Sequence, residues 1–455
     1  MPKTSPLQAA AARDDIASRS SQQSAPSALL GLKELLAIGI GAMIGGGIFS
    51  VMGLAVTITG NATPVAFVLG GILAMVAGYS YIKLALAFRD DGASFTYLEK
   101  AFPAYPFIAS ITGWTVILGY IGTMALYAFT FGAYGSELLG LADSQVLRRF
   151  LSVGIILFFM IINLYGAKSS GRAEDIIVYT KIMLLGLLAF AGARGIQPEE
   201  LSPFLDRGIV SIFMAAALIF VAYEGFQLIT NTVCESRDPV HNLPRSIYGA
   251  IGIVTCIYVG LSFVAVGSLP ENTLIAAREY ALAVAAEPAL GNGGRVLVSI
   301  AALLATASAI NATMLGASRM MAQMATEKEM PRAFSFRNRD AVPWIAVVTM
   351  AVFTIALTYF GGLELIAAFS SMTFLLVSLG VSLANLKLHA KTRSMPWLVI
   401  AGTVLLSATI LTLVVYLLSH SMQQLAWMGS LYLFAVGADM IFKKQVAGST
   451  VRKEA

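Results

Sequence analysis

The sequence predicts an all-α polytopic membrane protein with twelve transmembrane helices. Three observations carry that prediction. Of the 455 residues 57% are hydrophobic and only 12% are charged, about half the charged share of a soluble domain. The apolar residues come in long runs, with 48 uncharged positions between Glu34 and Lys83 and 45 between Arg393 and Asp439. The basic residues gather in alternate loops. A water-soluble enzyme does not fit this composition.

Residues 1–31 are rich in Ala, Ser and Gln and have no apolar core before Leu29. They read as a disordered cytoplasmic tail, not as a cleavable signal peptide. The first long run follows. As one helix its 48 residues would be about 72 Å long, more than twice a hydrocarbon core of roughly 30 Å. Each long run therefore holds two spans. The first run divides at Gly60-Asn61-Ala62-Thr63-Pro64 and the second at Ser419-His420-Ser421, where helix breakers cluster. Eight further spans lie near 101–136, 150–167, 176–193, 208–234, 246–270, 296–318, 341–363 and 365–386. Between the seventh and eighth of the twelve spans, 246–270 and 296–318, Asn272 to Gly291 reads as a short amphipathic helix that could serve as a lid. Residues 443–455 form a second cytoplasmic tail.

With an even number of spans both termini share one side. Of the 30 Lys and Arg residues, 23 fall in loops on that side and six on the other: Arg148, Arg149, Arg194, Arg207, Arg278 and Arg295. Cytoplasmic loops retain basic residues, so both termini are expected in the cytoplasm. The one basic residue left is Lys181, inside the fifth span. No basic patch suited to nucleic acid exists. Cys234 and Cys256 make no disulfide framework, His241, His389 and His420 are scattered, and no metal or cofactor is expected. No P-loop, nucleophile elbow or zinc helix motif is present, which argues against a primary pump and against an enzyme.

Two spans contain features that a continuous helix does not need. The first holds Gly45, Gly46 and Gly47 in succession. Each costs about 1 kcal/mol relative to alanine in a helix interior, which favours an unwound turn. The alternative is close packing, since Gly41 and Gly45 also form a small-residue motif. The sixth span runs Phe220-Val-Ala-Tyr-Glu-Gly-Phe-Gln227, with a carboxylate at Glu224 in an apolar helix. An ionisable group at that depth costs about 2.5–3.5 kcal/mol and usually faces a cavity or partner. Two interrupted helices in corresponding places point to a secondary transporter with inverted repeats, one over about 32–195 and one over about 208–390, with helices 11 and 12 at about 394–442 appended. Freed amides suit a carboxylate and freed carbonyls suit a cation, so a zwitterionic amino acid fits both poles.

Several motifs then resemble a known family. Gly41-Ala-Met-Ile-Gly-Gly-Gly-Ile-Phe49 is similar to the first-helix signature G-x-x-I-G-x-G-I-F of the amino acid–polyamine–organocation (APC) superfamily. Tyr81-Ile-Lys-Leu-Ala with Asp91-Gly-Ala-Ser-Phe-Thr-Tyr-Leu-Glu-Lys-Ala-Phe102 resembles its second loop. Asn163-Leu-Tyr-Gly-Ala-Lys168, Asp238-Pro-Val-His-Asn-Leu-Pro-Arg245, Asn311-Ala-Thr and Ala317-Ser-Arg319 follow in the family's order. The resemblance implies a LeuT-like fold of the 5+5 inverted-repeat type with helices 1 and 6 broken, carrying amino acids or related amines by alternating access.

Carried over residue by residue, the resemblance implies that the amides of Gly45, Gly46 and Gly47 bind the substrate carboxylate. The carbonyls of Met43, Val221, Ala222 and Glu224 would bind its ammonium group. Tyr223 and Phe226 would gate the site or touch substrate, against a simpler packing role. Lys181 either snorkels to the interface or, as in sodium-independent members, takes the place of a sodium ion between helix 1, near Gly41 or Ala42, and helix 8, near Ser308. Proton exchange by a desolvated Lys181 would then be available. Glu224 departs from the family, which commonly has an apolar residue there. It either binds freed backbone groups, or recognises a second cationic group as in a polyamine, or couples protons. Lys83 and Cys234 also depart, and both point to altered ion pairs at the cytoplasmic gate that Glu235 and Arg237 could complete. The expected partners are a small amino acid or amine, membrane lipid and protons. A nutrient receptor on the same scaffold is the alternative from another class.

Overall fold

In a bilayer, apolar helices are held together by close packing and polar contacts and can leave apolar faces to lipid. The structure, a computed structural model, describes residues 30–89, 93–166 and 171–454. Most of the expected N-terminal tail, the Asp91-Gly92 pair and Lys168 lie outside the described residues. The helices, in chain order, are α1 (Leu32–Met43), α2 (Gly47–Thr59), α3 (Thr63–Phe88), α4 (Ala93–Ala101), α5 (Pro106–Leu138), α6 (Gln145–Leu164) and α7 (Gly171–Gly192). The chain continues with α8 (Gly208–Ile219), α9 (Phe226–Thr230), α10 (Pro239–Ser268), α11 (Glu271–Ala277), α12 (Ala281–Thr326), α13 (Trp344–Phe360), α14 (Leu363–Lys387), α15 (His389–Thr392), α16 (Pro396–His420) and α17 (Met422–Glu454). Nine segments among the described residues are long and apolar enough to cross a membrane, and Gly208–Tyr223 and Trp344–Phe360 are shorter apolar helices beside them. The protein is all-helical.

Both long uncharged runs divide where the breakers stand. Gly60 takes a positive φ of 56° at the end of α2, and Pro64 sits in the first turn of α3, where a missing N–H costs nothing. In the second run α16 ends at His420 and α17 begins at Met422. Two expected boundaries are corrected. The Asp238-Pro239 loop is the start of α10, because Pro239 and the residues after it continue as helix from Asp238 onward. The single lid helix over 272–291 is instead α11, a 3₁₀ turn at Arg278–Tyr280, and the beginning of α12, which kinks at Gly291. The turn forms because Arg278 adopts a positive φ of 36°, and its carbonyl lies directly against Gly53 of α2.

Burial ranks the helices. The most apolar 18-residue stretch of α5 is 89% buried, whereas that of α6 is 11% buried. Helix α5 is thus the central post and α6 presents its apolar surface outward. Asn163 at the end of α6 donates to Asn311 of α12 at 2.9 Å, so two of the sequence motifs meet. At one end of the bundle three lid carboxylates, Glu271, Glu279 and Glu287, pair with Arg207, Arg148 and Arg295. Four of the six basic residues assigned to that side therefore gather on the lid, counting Arg278 within it. At the other end Leu30 and Ser236 form a parallel bridge, with Leu30 N–H donating to the Glu235 carbonyl and Arg237 N–H to the Leu30 carbonyl, both at 2.8 Å.

Candidate functional site

The three consecutive glycines stop one helix and start the next. Helix α1 ends at Met43 and α2 begins at Gly47, so Ile44, Gly45 and Gly46 lie between them. Among the described residues the N–H groups of Gly45, Gly46 and Gly47 donate to no acceptor. They head α2, where unpaired amides and the helix dipole favour a negative group. The second break follows α8: a 3₁₀ turn over Phe220–Tyr223, Glu224 in extended backbone, and Gly225 at φ 133°. An L side chain rarely adopts that φ, so glycine is required.

The two breaks lie against each other. A Cβ on Gly47 would stand 2.6 Å from Ala222 Cα, and one on Gly225 would stand 2.8 Å from both the Met43 nitrogen and Ala42 Cβ. A Cβ on Gly45 would stand 2.8 Å from Ala309 Cβ, and one on Gly46 would meet Tyr127 and Thr306. The glycines are needed for unwinding and for packing alike: they let the first break take side chains of α5 and α12 against its backbone and meet the backbone of the second break.

The freed carbonyls have partners that sequence reasoning missed. The Tyr258 hydroxyl, from α10, lies 2.8 Å from the Met43 carbonyl and 3.2 Å from the Ala222 carbonyl. With one proton it can donate to one of them at a time. Val221 N–H donates to Ser371 Oγ of α14 at 2.9 Å, and Ser371 Oγ donates to the Leu218 carbonyl. The Val221 carbonyl accepts from Glu224 N–H at 3.2 Å. Each of these carbonyls keeps a second lone pair. No pattern in the sequence marks Tyr258 or Ser371, since a hydroxyl in an apolar helix is common. Gly225 was visible as a glycine beside Glu224, but its positive φ was not.

The remaining predicted residues are placed as follows. Glu224 is 5% exposed, and its carboxylate lies within electrostatic range of the phenols of Tyr81, Tyr120 and Tyr127. Tyr223 is fully buried and points to α3, where its hydroxyl donates to the Phe67 carbonyl at 2.6 Å and its ring covers Gly70. Phe226 packs edge-on against Tyr81. Both aromatic rings are engaged in packing. Lys181 is 3% exposed on α7, one turn from Val178, whose side chain lies against Gly41 of α1. Ser308 is half-buried on α12, next to Ala309, which touches Gly45. Lys181 and Ser308 thus stand on helices that flank the first break from two sides.

The departures at the end opposite the lid make backbone contacts. Lys83 Nζ donates to the Arg393 carbonyl at 3.4 Å and Cys234 Sγ to the Arg89 carbonyl at 3.1 Å. Among the described residues Glu235 and Arg237 form no ion pair; their backbone holds Leu30 instead. The β-type bridge engages only their main chain, so their side chains remain available to the charged groups at this end.

Comparison with known proteins gives this site a context. Residues 30–437, which is 408 of 455, match the family described as amino acid permease. The chain is 35% identical over 364 residues to an uncharacterized protein of Methanocaldococcus jannaschii, covering 78% of this chain and 82% of that protein. It is 33% identical over 422 residues to the inner membrane transport protein YbaT of Escherichia coli, covering 91% and 96%. It is 28% identical over 334 residues to the serine/threonine exchanger SteT of Bacillus subtilis, covering 70% and 73%. With a family match along nearly its whole length and two helices broken face to face, the chain belongs to the amino acid permeases of the APC superfamily, a family of multi-pass membrane transporters and not of enzymes.

Proposed function

We propose that this permease is a secondary active transporter that moves amino acids across the cytoplasmic membrane by alternating access, without sodium, by proton symport or by exchange. The observation that carries the proposal is the pair of breaks in contact with each other, one with unpaired amides at Gly45, Gly46 and Gly47 and the two together bringing carbonyls of Met43, Val221 and Ala222 that each retain an acceptor site. The amides hold the substrate carboxylate. The carbonyls hold its ammonium group, which displaces or joins the Tyr258 hydroxyl. A ligand that engages both breaks at once favours the state in which they are closed together, and the gradient of the coupled proton or exchanged substrate supplies the free energy for the cycle.

In this reading the fold is LeuT-like, with twelve spans, two five-helix repeats and both termini cytoplasmic. The uneven distribution of basic residues supports that orientation. Lys181 bridges the first break to α12 near Ser308 and supplies the positive charge that a sodium ion would otherwise supply. The exchange mode gains support from the name of one relative, a serine/threonine exchanger. Tyr223 is a positioning residue, since its hydroxyl is engaged by α3.

The burial of Glu224 at the second break supports a second reading: recognition of a cationic amino acid or polyamine. Uptake into proteoliposomes separates the possibilities. A panel of labelled neutral amino acids, basic amino acids and polyamines is offered with proton and sodium gradients imposed independently. Uptake of amino acids that ignores sodium supports the proposal. Strict sodium dependence overturns the role of Lys181, preference for basic substrates selects the Glu224 reading, and binding without uptake makes the protein a receptor.

A further inference from the structure

We infer that a cavity at the lid end of α6 is a binding site for the phosphodiester headgroup of an anionic phospholipid. The cavity is about 180 Å³ and is walled by Gln145, Arg148 and Arg149 of α6 together with Thr358, Tyr359 and Gly361 from the end of α13. It lies at the periphery, away from the helix breaks.

Charge and hydrogen bonding select the ligand class. Two guanidinium groups share one carboxylate: Arg148 lies 3.5 Å from Glu279 of the lid, and among the described residues Arg149 pairs with no acid. One positive charge is left over. The guanidinium of Arg149 stacks on the Tyr359 ring at 4.7 Å, which holds it at the cavity mouth. The Arg148 Nε is buried and has no hydrogen-bond partner among the described residues. The amides of the first turn of α6, behind its Ser144 cap, add their dipole. A planar fork with an unused donor, a second cation and a helix N-terminus together suit a tetrahedral oxyanion.

The surroundings select the source. Val146, Phe150 and Phe360, which flank the two arginines, are 81%, 72% and 82% exposed. In a multi-pass protein such residues face acyl chains. Arginine stacked on tyrosine at the end of a span marks the headgroup level, where a guanidinium can take a headgroup phosphate through charge-assisted hydrogen bonds. A phosphate held there by α6 would also sit beside the ion pair that ties Arg148 to the lid.

The test is native mass spectrometry on the full chain, titrated with phosphatidylglycerol or with phosphatidylcholine. The wild type is expected to retain one phosphatidylglycerol in preference to phosphatidylcholine. Arg149→Gln should lower that retention by roughly tenfold, the value of about one charge-assisted hydrogen bond, and Arg149→Lys should lose less. Arg194→Gln, which removes a cation stacked on Phe190 elsewhere on α7 and its following turn, should change nothing. Melting curves identify any variant that has not folded, and Arg148→Gln then provides an independent substitution in the same wall. Equal retention of both lipids, or retention unaffected by either arginine variant, overturns the proposal. Arginine-dependent stabilisation by inorganic phosphate, with no preference for phosphatidylglycerol, leaves a soluble anion site and overturns the lipid assignment.

Discussion

Replacing Gly225 by alanine tests whether the two breaks must touch. The backbone φ of 133° is one that an L residue reaches only under strain, at a cost of about 1–3 kcal/mol. The new Cβ would also stand 2.8 Å from the Met43 nitrogen and from Ala42 Cβ. Backbone atoms cannot move aside as a flexible side-chain tip can, so overpacking adds about 1–3 kcal/mol. The two terms together give a destabilisation of about 2–6 kcal/mol, a melting temperature lower by roughly 2–6 °C for a chain of 455 residues. If the chain instead relieves the clash by moving α9 away from α1, stability is partly retained and uptake is lost. Gly252→Ala is the control, because nothing lies within 4 Å of its Cβ on α10, and it should change stability by less than about 1 kcal/mol. The assays are thermal melting in detergent and labelled amino acid uptake in proteoliposomes. A Gly225→Ala protein that melts and transports like wild type would refute the reasoning.

Three further outcomes follow from the same geometry. Tyr258→Phe keeps the rings of Phe67 and Tyr223 packed at 5.7 and 5.4 Å but removes the single donor that two buried carbonyls share, so melting should fall by the equivalent of about 1–3 kcal/mol and substrate affinity should change with it; unchanged values for both would remove Tyr258 from the site. Lys181→Ala should abolish uptake while the protein still folds, and near-normal uptake in proteoliposomes would end the sodium-replacement reading. Arg295→Gln leaves Glu137, whose side chain is 5% exposed, with Ser299 as its remaining side-chain partner among the described residues, at 2.7 Å; because Arg295 itself is partly exposed, the loss should be about 1–3 kcal/mol, and adding Glu137→Gln should restore part of it, whereas strict additivity in melting would argue against a coupled pair.

Some of the site was legible before any coordinates. Glycine in a helix interior has a large conformational cost, so Gly45, Gly46 and Gly47 marked the first break, and an acid in an apolar helix marked the second at Glu224. The lid was legible as a segment but not as two helices, because the turn at Arg278 is imposed by its fit against Gly53. The start of α10 was read seven residues late, at 246 instead of Pro239, because two prolines look like loop when their place in the first turns of a helix is unknown.

By itself the sequence determined the environment and the breaks. Scarcity of charge dictates lipid, run length dictates where helices must turn, and glycine dictates where they cannot continue. Those are local properties, set by each residue's solvation and backbone freedom. The tertiary structure alone decided which distant groups meet: Tyr258 reaching two carbonyls that are 179 positions apart in the chain, Tyr223 turned toward α3, and Gly225 pressed on Met43. Such pairings depend on how whole helices pack, and a hydroxyl or a glycine carries no mark in the sequence of the partner it will find.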